Sequence, residues 1–151
     1  MYISRIDIEN YRNFESVSVR FKDGINLLIG QNNSGKSNLI RALALIFDSS
    51  VKKQLSIDDI YNNISLEKLK QHSPKISIGV QITQSDNENL MGDELVTVSN
   101  WLTSLQEPYQ AMVQYEFFLP ESEEARYLED VINASNVSDV WQIIKTKFIR
   151  H

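Results

Sequence analysis

Alternating apolar and polar positions predict that the chain opens with two strands. Residues 15–21 alternate strictly between apolar and polar side chains, and residues 2–9 share this strand character. A period of two places every second side chain on the same face of a sheet. The short polar link at residues 10–14 predicts that the two strands form a hairpin.

A second pattern follows, in which a short apolar run leads into a polar loop and then a helical segment. Residues 25–29 are apolar except Asn26, residues 30–35 are polar with a glycine at each end, and residues 36–47 are apolar except for Lys36, Ser37, Asn38 and Arg41. The order predicts a buried strand, a loop and a helix. Because the helix is apolar on nearly all sides, we expect it to be buried between two layers.

The remainder of the chain reads as a mixture of helices and strands. Short helices are predicted from Ser56, where Asp59 completes a capping-box pattern, and at residues 65–71. Strands are predicted at 75–82 and 110–119, and helices at 87–105, 121–132 and 137–149. We expect Trp101 and Trp141 to belong to the core, His72 to lie in a turn, and Glu121, Glu123 and Glu124 to form the first turn of a helix. The pattern predicts an α/β fold.

The composition narrows the possible chemistry. The 151 residues include no cysteine, which excludes disulfides, thiolate metal sites and a cysteine nucleophile, and favours a reducing, cytoplasmic setting. The charged N-terminus does not resemble a signal peptide, and no apolar stretch is long enough to cross a membrane. The chain stops directly after a periodic segment with no glycine stop signal, which predicts that the domain continues beyond residue 151.

The net charge of −5 argues against a nucleic-acid surface on this chain alone. Acidic residues dominate the last third, and no run of Lys and Arg is present. Because contacts to phosphates in DNA need clustered basic residues, we expect any role with DNA to depend on other parts of a larger assembly.

One motif indicates a chemical function. Residues 30–37 match G-x-x-x-x-G-K-[ST], the P-loop or Walker A pattern. In such a loop backbone N–H groups surround the phosphates, the lysine bridges the β- and γ-phosphates, and the hydroxyl binds Mg²⁺. The expected ligands of ATP and Mg²⁺ are Gly30, Gln31, Asn32, Asn33, Ser34, Gly35, Lys36, Ser37 and Asn38, with Lys36 as the catalytic residue and Ser37 as the metal ligand. The alternative is a glycine loop that caps a helix, with Lys36 and Ser37 simply solvated.

Together with the stretches at residues 6–14 and 28–43, the motif resembles the N-terminal lobe of ABC-type ATPases of the SMC, RecF and OLD (overcoming lysogenization defect) groups. The Asn32-Asn33 pair is most similar to the OLD-type ATP-dependent nucleases, since many SMC relatives carry Asn-Gly there. The close match covers residues 1–47; residues 48–151 would supply the other helices and strands of the same ATPase domain. The resemblance implies a P-loop NTPase fold, a DNA-processing parent protein, and a dimer or higher oligomer of that protein.

The resemblance also implies residues beyond the loop. Arg12 and Asn13 match a stretch that lies beside the nucleotide in the family, although an arginine in a solvated hairpin turn is an equally good interpretation. The family also places a glutamine near the γ-phosphate. Gln81 and Gln84 are the candidates here, and we favour a surface position for both.

Other family elements are not found in the sequence. A Walker B strand needs about four apolar residues leading into Asp-Glu, whereas Asp93-Glu94 follows a short and polar segment. No signature motif follows residue 47, and no nuclease carboxylate cluster is present. We therefore expect nucleotide binding with little turnover. The alternatives are an SMC- or RecF-like ATPase that does not cut DNA, and a non-catalytic interaction module with a degenerate P-loop.

Overall fold

The computed structural model describes residues 1–31, 34–86, 93–104 and 106–148. Its centre is a five-stranded sheet in the order β2-β1-β3-β5-β4, and every pair of neighbours is antiparallel. The strands are β1 (Tyr2–Tyr11), β2 (Phe14–Arg20), β3 (Ile76–Thr83), β4 (Leu102–Ser104) and β5 (Gln110–Phe117). The helices are α1 (Lys36–Phe47), α2 (Leu66–Gln71), α3 (Asp93–Val98), α4 (Glu121–Val131) and α5 (Val137–Phe148), with 3₁₀ turns at Ile57–Asp59 and Ser99–Trp101.

The predicted N-terminal hairpin is confirmed, with β2 at one edge of the sheet and β1 next to it. β1 pairs with β2 on one side and with β3 on the other, so that Ile6 lies between Val19 and Val80. Arg12 and Asn13 form the turn between Tyr11 and Phe14, which face each other across the hairpin. The turn therefore lies at the end of the sheet where β3 begins.

The core lies between one face of the sheet and the helices. Its largest fully buried side chains come from β1, β3, α2, α4 and α5, and include Ile6, Ile8, Ile76, Ile78, Val80, Leu69, Tyr127, Val131, Val140 and Ile144. Burial of an aliphatic side chain of this size contributes about 1.5–3 kcal/mol. The alternation of apolar residues in β1 and β3 is the reason that one face of each strand is buried.

Helix α1 begins and ends where the sequence pattern predicts, but it is not buried on all sides. Leu39, Ala42 and Leu45 face the core, whereas Ile40 is 57% exposed and Phe47 is 46% exposed. The predicted burial between two layers is therefore wrong for this structure. Within the part of the chain that the structure describes, one face of α1 has a packing partner and the other faces solvent.

The predicted strand at residues 25–29 is also absent from this structure. The segment is irregular, and Ile25, Leu27 and Ile29 are 100%, 80% and 85% exposed. The physical reason is that a strand needs a neighbour for its backbone N–H and C=O groups. Across the described ranges, none of the five strands pairs with residues 25–29.

Residues 93–104 differ from the predicted long helix. α3 is followed by a 3₁₀ turn and then by the edge strand β4, while residues 87–92 and 105 lie outside the described residues. Trp101 is 46% exposed, which contradicts the expected core position, whereas Trp141 packs against the core as predicted. Asp93 and Glu94 begin a helix, so they do not end a strand as a Walker B pair would.

The remaining short elements agree with the pattern. Ser56 begins a single 3₁₀ turn closed by Asp59, and Ser65 caps α2 by accepting a hydrogen bond from the Lys68 N–H at 3.4 Å. His72 follows the end of α2, and the three glutamates open α4. Among the described residues, no helix is both long and apolar enough for a membrane span.

Candidate nucleotide-binding site

Gly35 connects the loop to α1 in a conformation that only glycine adopts readily. Its φ is +94°, in the left-handed region. A Cβ at this position would lie 2.5 Å from the Phe14 ring and 2.8 Å from the Asn13 amide nitrogen. The close approach of the hairpin turn to the start of α1 therefore requires glycine at position 35.

The Lys36 side chain folds back over the loop. Its ammonium donates to the carbonyl oxygen of Gly30, to that of Gln31 at 2.7 Å, and more weakly to the Ser34 hydroxyl at 3.4 Å. An ammonium has three donors and no acceptor, so oxygen atoms of phosphate can replace these partners one for one. This position suits a phosphate-binding lysine.

Ser37 lies in the first turn of α1 and is exposed. A bound Mg²⁺ usually takes only one or two protein oxygens and completes its octahedral shell with phosphates and water, so a single accessible hydroxyl fits that chemistry. Within the described residues, no group of three or more His, Asp or Glu side chains could hold a metal by itself. Any Mg²⁺ here would depend on the nucleotide and water for the rest of its ligands.

Asn13 lies beside the loop. Its side-chain oxygen accepts a hydrogen bond from the Asn38 amide at 2.7 Å, which ties the hairpin turn to the first turn of α1. The structure therefore brings together three of the residues named from the sequence, Asn13, Gly35 and Asn38. Asn32 and Asn33 lie outside the described residues.

Arg12 is committed to an ion pair. Its guanidinium lies 2.7 Å from a carboxylate oxygen of Asp59 and 5.5 Å from the centre of the Tyr11 ring, and 35% of its side chain is exposed. Its Nε is buried with no hydrogen-bond partner. Burial raises the pKa of the Tyr11 phenol, and the positive charge of Arg12 partly opposes that rise. The interpretation of Arg12 as a solvated arginine without a specific partner is therefore wrong.

An open cavity of about 1030 Å³ borders these residues, and the sequence did not predict it. Arg12, Asn13 and Asn38 line one side of it, and Tyr61, Trp141 and Lys145 line another. No local pattern could have found this cavity, because its walls come from the hairpin turn, the 3₁₀ segment and α5. These segments meet only in the folded chain.

The two candidate glutamines lie elsewhere. Gln81 pairs with Arg5 in the sheet, towards the end of β1 opposite the hairpin turn, and its amide donates to the Gln110 side chain at 2.9 Å. Gln84 is only 8% exposed and its side chain accepts from the Tyr109 N–H at 3.0 Å. The expected surface position is therefore wrong for Gln84, and neither glutamine lines the cavity beside the loop.

Part of the chain is similar in sequence to RecF proteins. It is 31% identical over 90 residues to the DNA replication and repair protein RecF of Bacillus mycoides and 30% identical to that of Bacillus cytotoxicus. Each match covers 56% of this chain and 24% of the relative, so the matched region spans about a quarter of the relatives' length.

A solved structure supports the fold independently. It comes from work on ATP-driven dimerization and DNA-stimulated activation of SMC ATPases, and it superimposes with a TM-score of 0.50 at 16% identity over 96% of this chain and 92% of that one. The fold is thus the P-loop NTPase type expected from the sequence. The AAA ATPase domain family matches residues 1–149, and the protein therefore belongs to that family.

Proposed function

We propose that this chain binds Mg-ATP through residues 30–38 as the N-terminal nucleotide-binding region of an SMC/RecF-like ATPase. The observation that carries the proposal is the position of Lys36. Its ammonium is held over the loop by the carbonyl oxygens of Gly30 and Gln31. The preceding residue, Gly35, has a left-handed backbone conformation that only glycine adopts readily. Membership of the AAA ATPase domain family supports the same chemistry.

Each residue then has a distinct role. Lys36 binds the β- and γ-phosphates, Ser37 binds Mg²⁺, and the backbone N–H groups of residues 30–35 bind phosphate oxygens at the positive end of α1. Mg²⁺ neutralises part of the phosphate charge when it is bound. Asn13 and Arg12 flank the loop, where they restrict how the nucleotide can lie.

Action on DNA and self-association are proposals for the complete protein. The RecF relatives are named for DNA replication and repair, and the SMC structure for ATP-driven dimerization. Because this chain carries a net charge of −5, we place the DNA contacts in other parts of the protein. A DNA nuclease of the OLD type is the narrower proposal; it is supported by the Asn32-Asn33 pair, while the RecF matches favour the ATPase without nuclease activity.

Calorimetric titration with Mg-ATP tests the proposal. We expect saturable binding, and we expect Lys36→Ala to weaken it by about tenfold or more, because the variant loses a charged contact to phosphate. Lys52→Ala is the matched control, since Lys52 is exposed and lies beyond α1.

Equal affinities for the wild type and Lys36→Ala would remove Lys36 from the site. Failure of the wild type to bind ATP or ADP would overturn the proposal and favour the non-catalytic interaction module.

A further inference from the structure

Asp59 holds the hairpin turn through two different groups. One carboxylate oxygen lies 2.7 Å from the Arg12 guanidinium, and the Asp59 carbonyl accepts the Arg12 backbone N–H, also at 2.7 Å. The other carboxylate oxygen accepts from the Ser56 N–H at 3.0 Å and from its hydroxyl at 3.3 Å. Only 13% of the Asp59 side chain is exposed, so water weakens these contacts little.

The turn needs such support, because its backbone is unusual. Asn10 and Arg12 both have a φ of +52°, in the left-handed region, which L-residues other than glycine seldom adopt. Such conformations persist where neighbouring structure holds them. Here a short segment supports the backbone on both sides of the turn: Asp59 accepts the Arg12 N–H, and the Tyr61 N–H donates to the Asn10 carbonyl at 2.9 Å. The Asn10 side chain also donates to the Lys75 carbonyl at 3.0 Å.

The same turn touches the start of α1. Asn13 accepts from the Asn38 amide at 2.7 Å, and Phe14 lies so close to Gly35 that a Cβ there would collide with its ring. The contacts therefore form an unbroken chain from Asp59 through the turn to the P-loop.

We infer that Asp59 is a positioning residue of the nucleotide site: by clamping Arg12 it fixes the left-handed turn that holds Asn13 and Phe14 against the P-loop. The effect on nucleotide affinity rests on the proposed function, whereas the effect on the turn does not. A purely local role would be different, because an aspartate that only closes the 3₁₀ turn through Ser56 would influence residues 56–61 alone.

Amide hydrogen exchange in the ligand-free protein separates these roles. We expect Asp59→Asn to speed exchange about tenfold at the hydrogen-bonded amides of residues 10–14 and at Leu39, whose N–H donates to the Gly35 carbonyl at 2.9 Å, because the carboxylate charge that holds Arg12 is lost. Asp58→Asn is the matched control, since it removes the same charge from the adjacent, exposed aspartate. Exchange that changes only in residues 56–61 would overturn the inference.

A second variant changes Arg12, the other partner of the ion pair. It keeps the inference testable if Asp59→Asn does not fold. Arg12→Ala leaves the hydrogen bonds between Asp59 and Ser56 in place, so the 3₁₀ turn keeps its closure. We expect the same faster exchange at the Leu39 amide, and we expect the double variant to add little, because both changes break one interaction. Additive effects would contradict the inference.

Titration with Mg-ATP gives the functional consequence. Asp59→Asn should weaken binding by about three- to tenfold, Asp58→Asn should not, and the effect of Asp59→Asn should disappear in the Arg12→Ala background. Unchanged affinity in Asp59→Asn would overturn the link to the nucleotide site. If the wild type binds no nucleotide, the proposed function fails, and the exchange experiment still decides whether Asp59 positions the turn.

Discussion

At the residue scale, Tyr127 shows how one side chain joins two helices. Its ring is fully buried in α4, and its hydroxyl donates to the Leu69 carbonyl of α2 at 2.6 Å. Burial raises the pKa of the Tyr127 phenol, and the negative charge of Glu124 raises it further. The folded protein therefore holds this tyrosine in its neutral form at a pH where the unfolded chain would ionise it.

Tyr127→Phe should lower the free energy of unfolding by about 1–2 kcal/mol near neutral pH, because it leaves the buried Leu69 carbonyl without its donor. The folded pKa is higher than the unfolded one, so the contribution of the wild-type tyrosine is fully present below about pH 10 and is lost as the pH rises towards the folded pKa. The difference between the two proteins should therefore shrink above about pH 10.

Urea unfolding at neutral and alkaline pH checks this prediction, with Tyr2→Phe as the control at the first residue of β1. A difference that grows with pH would show that the sign of the pKa shift is wrong.

Ser37 carries a prediction about metal dependence. Ser37→Ala should reduce the gain in ATP affinity that Mg²⁺ provides, because the variant lacks the only hydroxyl assigned to the metal. Titrations with and without Mg²⁺ measure that gain, and Ser49→Ala, an exposed serine just after α1, is the control. An unchanged Mg²⁺ effect would remove Ser37 from the metal site.

At the scale of elements, local patterns predicted most of the fold. The alternation in β1, β2, β3 and β5 and the apolar length of α1 located these elements to within a few residues. The three-residue strand β4 was missed, because an edge strand this short has no periodicity to detect. The prediction of a strand at 25–29 was wrong because an apolar run indicates only a preference for burial. Whether such a run forms a strand depends on whether another strand lies beside it.

The contrast between Leu27 and Ile78 tests that explanation. Leu27 is 80% exposed in the irregular segment, whereas Ile78 is fully buried in β3. Ile78→Ala should lower the free energy of unfolding by about 2–5 kcal/mol through the cavity it leaves. Leu27→Gln should change it by no more than about 0.5 kcal/mol.

Urea unfolding of both variants is the measurement. A loss in Leu27→Gln as large as that in Ile78→Ala would show that residues 25–29 are buried, as the sequence pattern predicts.

At the scale of the whole molecule, the candidate site combines segments that differ in how readily the sequence reveals them. The P-loop was found from its motif, and Asn13 from a family resemblance. Asp59 was assigned only to a capping box, because nothing in its neighbourhood indicates a partner as distant as Arg12. The cavity beside α5 was missed for the same reason, since long-range contacts leave no local pattern.

The sequence contains the proposed phosphate-binding residues of a P-loop but no segment recognisable as a Walker B strand. Hydrolysis by P-loop enzymes also needs a group that positions the attacking water and charge stabilisation opposite the loop. These groups act together with the P-loop. Loss of the water-positioning group and of the opposing charge stabilisation should therefore reduce the rate of hydrolysis by several orders of magnitude, even when nucleotide is bound normally.

Steady-state phosphate release, measured on samples whose Mg-ATP binding has been titrated, tests this account most directly. We expect saturable binding that depends on Lys36, with phosphate release barely above background. Release at about one per second or faster, in the range typical of phosphoryl-transfer enzymes, that disappears in Lys36→Ala would contradict it. Asp93 and Glu94 would then be the first residues to test as the missing acid.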